Sequence, residues 1–229
     1  MKITAVPKLM MFDLDGTLAD TAPRLHEAVT KALQKVNVPT CTYTDTKKYL
    51  GNGVNFLLAR SLTKTLEPSP EVFDSDIMKL ARIEFDKNYG KPSAAEDKLF
   101  PNVLSTLKYL KSKDIKLVVV TNKPHKYVAN ILQGLGILDL FDDFLGSEII
   151  PEKKPDPTPL FFICKKFNVA VTQAVMVGDS LNDVEAAQNA KMPSIALTYG
   201  YNRGLDIRDS KPDYCFDDFE EIEQLISSI

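Results

Sequence analysis

Acidic side chains occur in two short motifs that could share one chemical task. Asp13 and Asp15 stand two residues apart in the motif DLDGT, and Asp179 and Asp183 stand four residues apart in the motif GDSLND. Four carboxylates brought to one place would repel one another strongly unless a cation lay among them. Oxygen ligands of this kind suit Mg²⁺, so the sequence predicts a magnesium site if the two motifs meet.

Other polar side chains could serve the same site, although each also has an ordinary structural interpretation. Thr121 and Asn122 follow an apolar run and could simply end a strand and cap a helix. Lys154 precedes a proline and by itself is typical of surface charge. Asp-Gly segments favour turns, and aspartates in a first helical turn often only cap it. The argument for chemistry therefore rests on the conjunction of these residues.

Apolar periodicity indicates which elements would position these side chains. The sequence predicts buried strands at 8–12, 115–120, 144–145, 174–177 and 194–197. Helices are predicted at 103–110, 124–135, 157–167 and 181–190. Alternating strands and helices build a doubly wound, Rossmann-like α/β core with a parallel sheet. Ligands of such sheets bind beyond the carboxyl ends of the strands, where both acidic motifs and Thr121 would lie.

The segment between the first strand and this alternating region has a different pattern. Helical spacing recurs from Ala22, from Val54 and from Val72, and we find no strand between Thr17 and Gly90. The predicted organisation is a discontinuous catalytic core, 1–17 and 92–229, with an inserted all-helical cap domain at 18–91.

Composition excludes several classes of protein. The chain has 229 residues and a net charge of −3, so a nucleic acid is a poor candidate partner. No apolar run reaches the length of a membrane span, and the first residues lack a signal-peptide pattern. We therefore expect a cytoplasmic protein without a membrane partner. The three cysteines have no metal or redox spacing and are expected to be buried, reduced thiols.

The ordered motifs resemble those of the haloacid dehalogenase superfamily of phosphohydrolases. FDLDGT from Phe12, Thr121 at a strand end, Lys154 before Pro155 and GDSLND from Gly178 appear in the superfamily's order across nearly the whole chain. The helical insert is similar to the superfamily's small α-helical cap. Within the superfamily, the closer similarity is to the bacterial phosphoglycolate phosphatase family, through fragments such as TNKP, KKPDPTPL and LTYGYN.

This resemblance implies a role for each motif residue. Asp13 would attack phosphorus and form an aspartyl-phosphate, while Asp15 would act as general acid and then general base. Thr121 would bind phosphoryl oxygens, and Lys154 would neutralise charge. The resemblance further implies that Mg²⁺ is held by Asp13, the Asp15 carbonyl and Asp179, with Asp183 either supporting these ligands or adding one. Thr17, Asn122 and Lys123 would help to bind or position the substrate.

Substrate choice should depend on the cap, where the sequence is less informative. Gly51, Asn52 and Gly53 precede a helix, so their amides could meet a substrate carboxylate, or the glycines could only shape a joint. Arg60 could pair with the same carboxylate or lie solvated on the surface. The leading hypothesis is hydrolysis of the small metabolite 2-phosphoglycolate to glycolate and phosphate.

Other functions fit the same motifs. The alternatives are a phosphatase for another small phosphorylated metabolite or for pyrophosphate, a β-phosphoglucomutase-like phosphotransferase, and a non-catalytic phosphate sensor. A sensor would be expected to lack Asp13, Asp15 or Lys154, and all three are present. Cap movement would occur at the crossings 18–21 and 91–94. No interface pattern is visible, so a monomer and a homodimer both remain expected.

Overall fold

The core of the protein is a parallel β-sheet covered by helices on both faces. The structure is a computed structural model that describes residues 1–90 and 97–229. The sheet contains β1 (Leu9–Phe12), β4 (Lys116–Pro124), β5 (Asp143–Ser147), β6 (Ala174–Gly178), β7 (Ser194–Leu197) and β8 (Tyr214–Phe216). Their order is β5-β4-β1-β6-β7-β8, and every neighbouring pair is parallel. The predicted doubly wound α/β fold is therefore confirmed.

Alternating side chains of β1 show how the two faces are covered. Met10 and Phe12 belong to one hydrophobic cluster, whereas Leu9 and Met11 belong to another on the opposite face. All four are fully buried, as expected for the central strand of a two-sided parallel sheet. The helices of the core are α6 (Val103–Ser112), α7 (His125–Gly134), α8 (Thr158–Phe167), α9 (Leu181–Ala190) and α10 (Glu220–Ser227).

A group of helices occupies the chain between β1 and α6. They are α1 (Ala22–Lys35), α2 (Tyr43–Tyr49), α3 (Val54–Thr63), α4 (Glu71–Asp74) and α5 (Asp76–Tyr89). The first, α1, has Pro23 in its opening turn and packs extensively against α5. Two short strands, β2 (Ala19–Asp20) and β3 (Lys98–Leu99), pair antiparallel where the chain enters and leaves this group.

The helical group differs from the sequence prediction at three points. The prediction that no strand lies between Thr17 and Gly90 was wrong, because β2 lies there and pairs with β3. A strand of two residues is too short to show a pattern of alternating apolar side chains. The region from Val72, predicted as one helix, forms two helices, α4 and α5. Ser75 between them has an extended backbone, and its side chain accepts a hydrogen bond from Met78 N–H and so caps α5. Helix α2 was not predicted, because its residues are almost all polar.

In the core, the main differences lie at strand ends and near the C-terminus. Thr121–Lys123 lie inside the last part of β4, not in a loop after it. Strand β8 and helix α10 were not predicted. The crossing at 91–94 and the boundary between 91 and 92 lie outside the described residues. Cys41 and Cys164 are buried and Cys215 is partly exposed, and all three are free. In the part of the chain that the structure describes, no helix combines the length and apolar character needed to cross a membrane.

Candidate active site

The carboxyl ends of three neighbouring strands bring the sequence-predicted motifs together. Asp13 follows β1, Thr121 lies near the end of β4, and Asp179 follows β6. Because β1 lies between β4 and β6, these residues meet at the crevice where a doubly wound sheet places its ligands. The Asp13 backbone N–H donates to the carbonyl of Val177, which fixes the nucleophile candidate beside β6.

Three carboxylates form a compact buried cluster. Asp13, Asp179 and Asp183 each offer an oxygen, and these oxygens all lie within 4.8 Å of one another. Burial raises the pKa of Asp13 to about 6, with Lys154 opposing the rise and Asp183 adding to it. Burial and repulsion by Asp183 and Asp13 hold the pKa of Asp179 well above its usual range. The cluster thus carries more negative charge than its protein surroundings neutralise.

One buried ammonium group connects two of these carboxylates. Lys154 Nζ donates to Asp183 Oδ1 at 2.6 Å and to the carbonyl of Val120 at 2.6 Å, and it lies 3.3 Å from Asp13 Oδ1. Burial disfavours its charge, but Asp13 and Asp183 hold the pKa of Lys154 above its ordinary value. The other oxygen of Asp183 accepts from the backbone and hydroxyl of Ser180. Asp183 therefore holds both Lys154 and the loop that carries Asp179.

Asp15 is held by a second lysine on the neighbouring strand. Lys123 Nζ donates to the two carboxylate oxygens of Asp15 at 2.6 and 2.8 Å, and Thr21 donates its hydroxyl at 2.5 Å. Lys123 is almost fully buried and lies over the ring of Tyr89, 5.0 Å from its centroid. Sequence reasoning gave Lys123 a role in positioning the substrate and did not identify its ion pair with Asp15.

Asp179 is oriented by neutral donors. Thr17 donates its hydroxyl to Asp179 Oδ1 at 2.6 Å, and the backbone N–H of Tyr201 donates to Oδ2 at 2.6 Å. A Cβ atom on Gly200 would lie 2.1 Å from Asp179 Oδ2, so only glycine permits this approach. Thr17 is fully buried and serves Asp179, while Tyr201 was missed, although the fragment LTYGYN contains it.

A cavity lies above these groups, between the sheet edge and the helical group. Its polar lining includes Asp13, Asp15, Thr121, Lys123 and Asp179, and Thr121 Oγ1 accepts from the backbone N–H of Lys123. The opposite wall consists of aliphatic side chains and glycine backbone, contributed by Leu25, Leu50, Gly51, Gly53, Val54 and Leu57. The nucleophile and acid–base candidates thus face one shared cavity.

The segment Gly51–Gly53 contacts the core directly. The carbonyl of Gly51 accepts from Asn122 Nδ2 at 3.1 Å and from Asn182 Nδ2 at 2.9 Å. Asn122 also donates to the carbonyl of Lys154 at 2.8 Å, so one amide joins the helical group to the lysine loop. Asn52 Nδ2 donates to Asn182 Oδ1 at 3.2 Å. Asn52 and Asn122 therefore connect the two parts of the molecule beside the cavity.

Arg60 lies elsewhere than either sequence interpretation placed it. The side chain is buried, not solvated, and it is not among the residues that line the cavity. Its guanidinium donates to the carbonyls of Leu66 and Tyr49 at 2.8 and 3.0 Å and to Asn52 Oδ1 at 2.9 Å. Arg60 thus holds the segment that leads to Gly53.

Comparison with known families agrees with this arrangement. The family model of haloacid dehalogenase-like hydrolases matches residues 10–197, which include Asp13, Asp15, Thr121, Lys154 and Asp179 but end before Gly200 and Tyr201. The chain belongs to the haloacid dehalogenase-like hydrolase family. In this chain, Asp13, Asp15, Thr121, Lys154 and Asp179 lie at one sheet edge, as the resemblance of the motifs implied.

Curated relatives within the haloacid dehalogenase-like family are phosphatases. The chain is 40% identical over 215 residues to a phosphoglycolate phosphatase of Psychrobacter arcticus, covering 94% of each chain. It is 41% identical over 219 residues to a phosphoglycolate phosphatase of Vibrio vulnificus, covering 96% of each. A crystal structure of a predicted phosphoglycolate phosphatase from Haemophilus somnus has a TM-score of 0.88 and 38% identity, over 97% of this chain and 99% of that one. The protein is accordingly a phosphatase.

Proposed function

We propose that this phosphatase hydrolyses 2-phosphoglycolate to glycolate and phosphate, with Mg²⁺ as cofactor and an aspartyl-phosphate intermediate. The observation that carries the proposal is the placement of Asp13 and Asp15 in one small cavity beside a buried carboxylate cluster. The substrate assignment is supported by relatives near 40% identity that bear the name phosphoglycolate phosphatase.

The carboxylate cluster fits a hard divalent cation. Asp179 is buried, its partners are the neutral hydroxyl of Thr17 and a backbone N–H, and no ion pair of the described residues includes it. All donors are oxygens, the ligands that Mg²⁺ prefers. We propose that Asp13, the Asp15 carbonyl and Asp179 hold the ion, with Asp183 supporting through Lys154 and Ser180. Bound Mg²⁺ would supply positive charge next to the transferring phosphoryl group.

The first displacement would use Asp13 as nucleophile. One carboxylate oxygen of Asp13 forms a bond to phosphorus as the bond to the ester oxygen breaks, leaving an aspartyl-phosphate. Asp15, in its protonated form, gives its proton to the departing alkoxide oxygen and becomes a carboxylate. Lys123 and Thr21 hold the Asp15 carboxyl group in place during this transfer.

The second displacement would return the enzyme to its starting state. The Asp15 carboxylate takes a proton from a water molecule, whose oxygen attacks phosphorus and breaks the bond to Asp13. Thr121 donates its hydroxyl to a phosphoryl oxygen, since its own oxygen already accepts from Lys123 N–H. Lys154, 3.3 Å from Asp13, offsets the negative charge shared by the nucleophile and the phosphoryl group.

The wall opposite the nucleophile would limit the size of the substrate. Leu25, Leu50, Val54 and Leu57 offer no hydrogen-bonding groups to the hydroxyls of a sugar. The backbone N–H groups of Gly51 and Gly53 lie near this wall, which suits a short leaving group with one carboxylate, while Asn122 already donates to two carbonyls and would position this segment. In this proposal Gly51, Asn52, Gly53 and Asn122 form the substrate end of the cavity, and Arg60 supports them from behind.

We further propose that residues 18–91 act as a cap domain on the core formed by 1–17 and 92–229. The β2–β3 pair supports this division, since it joins the entering and returning chains at the edge of the site. Opening would admit substrate, and closure would exclude bulk water from the aspartyl-phosphate.

The test is a comparison of kcat/KM across phosphate esters, with and without Mg²⁺. The panel contains 2-phosphoglycolate, sugar phosphates, nucleotides and pyrophosphate, and each is assayed for released phosphate. We expect 2-phosphoglycolate to exceed every other compound at least tenfold, and activity to disappear when a chelator removes the metal. A tenfold preference for another compound would refute the substrate, and conversion of a sugar 1-phosphate to a 6-phosphate would identify a phosphotransferase.

A further inference from the structure

Three cationic side chains converge on one neutral residue at the edge of the site. Arg60 and Arg203 both donate to Asn52 Oδ1, and Lys153 Nζ donates to the Asn52 carbonyl at 3.0 Å. Arg60 comes from the helical group, whereas Lys153 and Arg203 come from two different loops of the core. We call these three side chains the junction cations.

The junction cations have no carboxylate partner within ion-pair distance among the described residues. None of the three takes part in the ion pairs of residues 1–90 and 97–229, and Arg60 is 1% exposed. Burial lowers the pKa of Arg60 to about 10, with the charge of Arg203 adding to the effect and Glu67 opposing it. Burial and the charge of Arg60 lower the pKa of Lys153. Buried charges are normally paired, so this cluster would be relieved by an anion.

Lys153 lines a groove that adjoins the active-site cavity. Gly53, Val54 and Asn122 line both spaces. One acidic side chain in the groove, Glu148, is already paired with Arg82 at 2.9 Å. Lys153 Nζ makes one described hydrogen bond, to Asn52, and lies 4.6 Å from the centroid of the Phe56 ring. Its ammonium group therefore retains hydrogen atoms for a further acceptor.

We propose that Lys153, in the field of Arg60 and Arg203, forms a second anion-binding site at the junction of the helical group and the core. Its ligand is a small oxyanion of the carboxylate or phosphate class. The proposal rests on the phosphatase activity proposed above but not on the identity of the ester. Two sources share this chemistry: a second anionic group of the substrate, and a separate oxyanion bound beside the cavity.

The experiment compares Lys153→Gln and Lys153→Arg with the native enzyme on two esters. One ester, 2-phosphoglycolate, carries a second anionic group, and the other, ethyl phosphate, does not. If the substrate supplies the anion, Lys153→Gln lowers kcat/KM for 2-phosphoglycolate at least tenfold, mainly through KM. The same variant changes kcat/KM for ethyl phosphate less than twofold, and Lys153→Arg retains most of the native value.

A second arm adds sulfate to each enzyme during turnover of ethyl phosphate. If a separate oxyanion occupies the site, sulfate changes native turnover at least threefold, and Lys153→Gln loses that response while retaining its basal rate. The matched control is Lys166→Gln, an exposed lysine paired with Asp143, which should behave as the native enzyme does in both arms.

Either of two results overturns the proposal. One is an equal loss on both esters, which would give Lys153 a structural role on Asn52. The other is native behaviour of Lys153→Gln in both arms. If the proposed function is wrong, the native enzyme itself will not prefer 2-phosphoglycolate, which is a separate result. The sulfate arm of the experiment would still test the anion site in that case.

Discussion

Lys154 and Lys123 supply positive charge to different carboxylates of the site. Lys154 pairs with Asp13 and Asp183, and Lys123 pairs with Asp15, so the two lysines contact different carboxylates. This separation lets Asp13 and Asp15, the proposed nucleophile and acid–base group, lie in one cavity with different surroundings. Two carboxylates with different neighbours can carry out different steps of one reaction.

Replacing Asp13 with Asn should abolish turnover and leave the fold intact. The amide removes the nucleophilic oxygen, and we expect kcat to fall by about a thousandfold or more. Thermal unfolding should show no loss of stability, because the substitution also removes one charge from a crowded buried cluster. Phosphate release and a melting curve are the measurements, and substantial residual activity would contradict the assignment of Asp13.

Replacing Lys123 with Met should reduce activity while leaving Mg²⁺ binding largely unchanged. Asp15 would lose two charge-assisted hydrogen bonds, and general acid–base catalysis contributes about a hundredfold or more to such reactions. We expect kcat to fall about ten- to a hundredfold. Titration calorimetry with Mg²⁺ and initial rates distinguish the two effects, with Lys166→Met as control. A variant with native kcat would show that Asp15 needs no partner.

At the scale of residues, sequence reasoning identified candidate residues that the structure brings together, but it missed several of the contacts that hold them. Asp13, Asp15, Lys154 and Asp179 were identified because their types and order are distinctive, and the structure brings them to one sheet edge. Tyr201 was missed because it acts through its backbone N–H, which any residue provides. Arg60 was misplaced because its partners are carbonyl groups, and their positions follow only from the fold.

Helices and strands with a strong apolar periodicity were predictable from the sequence. Those that depend on capping or on pairing with a distant segment were not. The bounds of α9 and β7 agree with the predicted ranges, since both have clear apolar patterns and end signals. Helix α2 is stabilised by a capping box between Thr42 and Asp45, and its polar sequence gives no amphipathic signal. Strand β2 exists only because β3 returns beside it, a contact between residues about 80 positions apart.

Replacing Gly53 with Ala should impair approach of α3 to the core. Gly53 has a φ of 85°, and a Cβ atom there would lie 2.8 Å from the carbonyl oxygen of Asn122. We expect kcat/KM to fall about tenfold. The matched control is Gly136→Ala, which has a φ of 70° but open space around its Cβ, and which should lose only stability. Equal kinetics for the two variants would argue against close packing at Gly53 during turnover.

At the scale of the molecule, charged side chains of α5 connect the helical group to the core. Arg82 of α5 pairs with Glu148 at 2.9 Å, and Asp86 of α5 accepts from Lys126 and Tyr127 of α7, both at 2.7 Å. These charged groups are partly exposed, so each pair contributes only about 0.2–1 kcal/mol and is screened by salt. Such weak contacts would allow the cap movement that we propose.

Removing the core side chains that form these ion pairs with α5 should weaken substrate binding, and the effect should depend on salt concentration. The double variant Lys126→Met/Glu148→Gln leaves the Arg82–Asp86 pair within α5 intact. We expect KM to rise about two- to tenfold at low ionic strength, and the difference from native enzyme to shrink in about 0.5 M salt. Lys79→Gln, which removes a pair within α5 that reaches no core residue, is the control. An unchanged KM at low salt would show that these ion pairs do not contribute to cap closure.

The central position of β1 governs when the site can assemble during synthesis. This strand is made first, yet its hydrogen-bonding neighbours are β4 and β6, more than 100 and more than 160 residues further along the chain. The intervening helices form their own contacts, such as those of α1 with α5, so they can fold before β1 has strands to pair with. A nascent chain that ends before β6 therefore contains both aspartates of its first motif but no finished sheet edge to hold them.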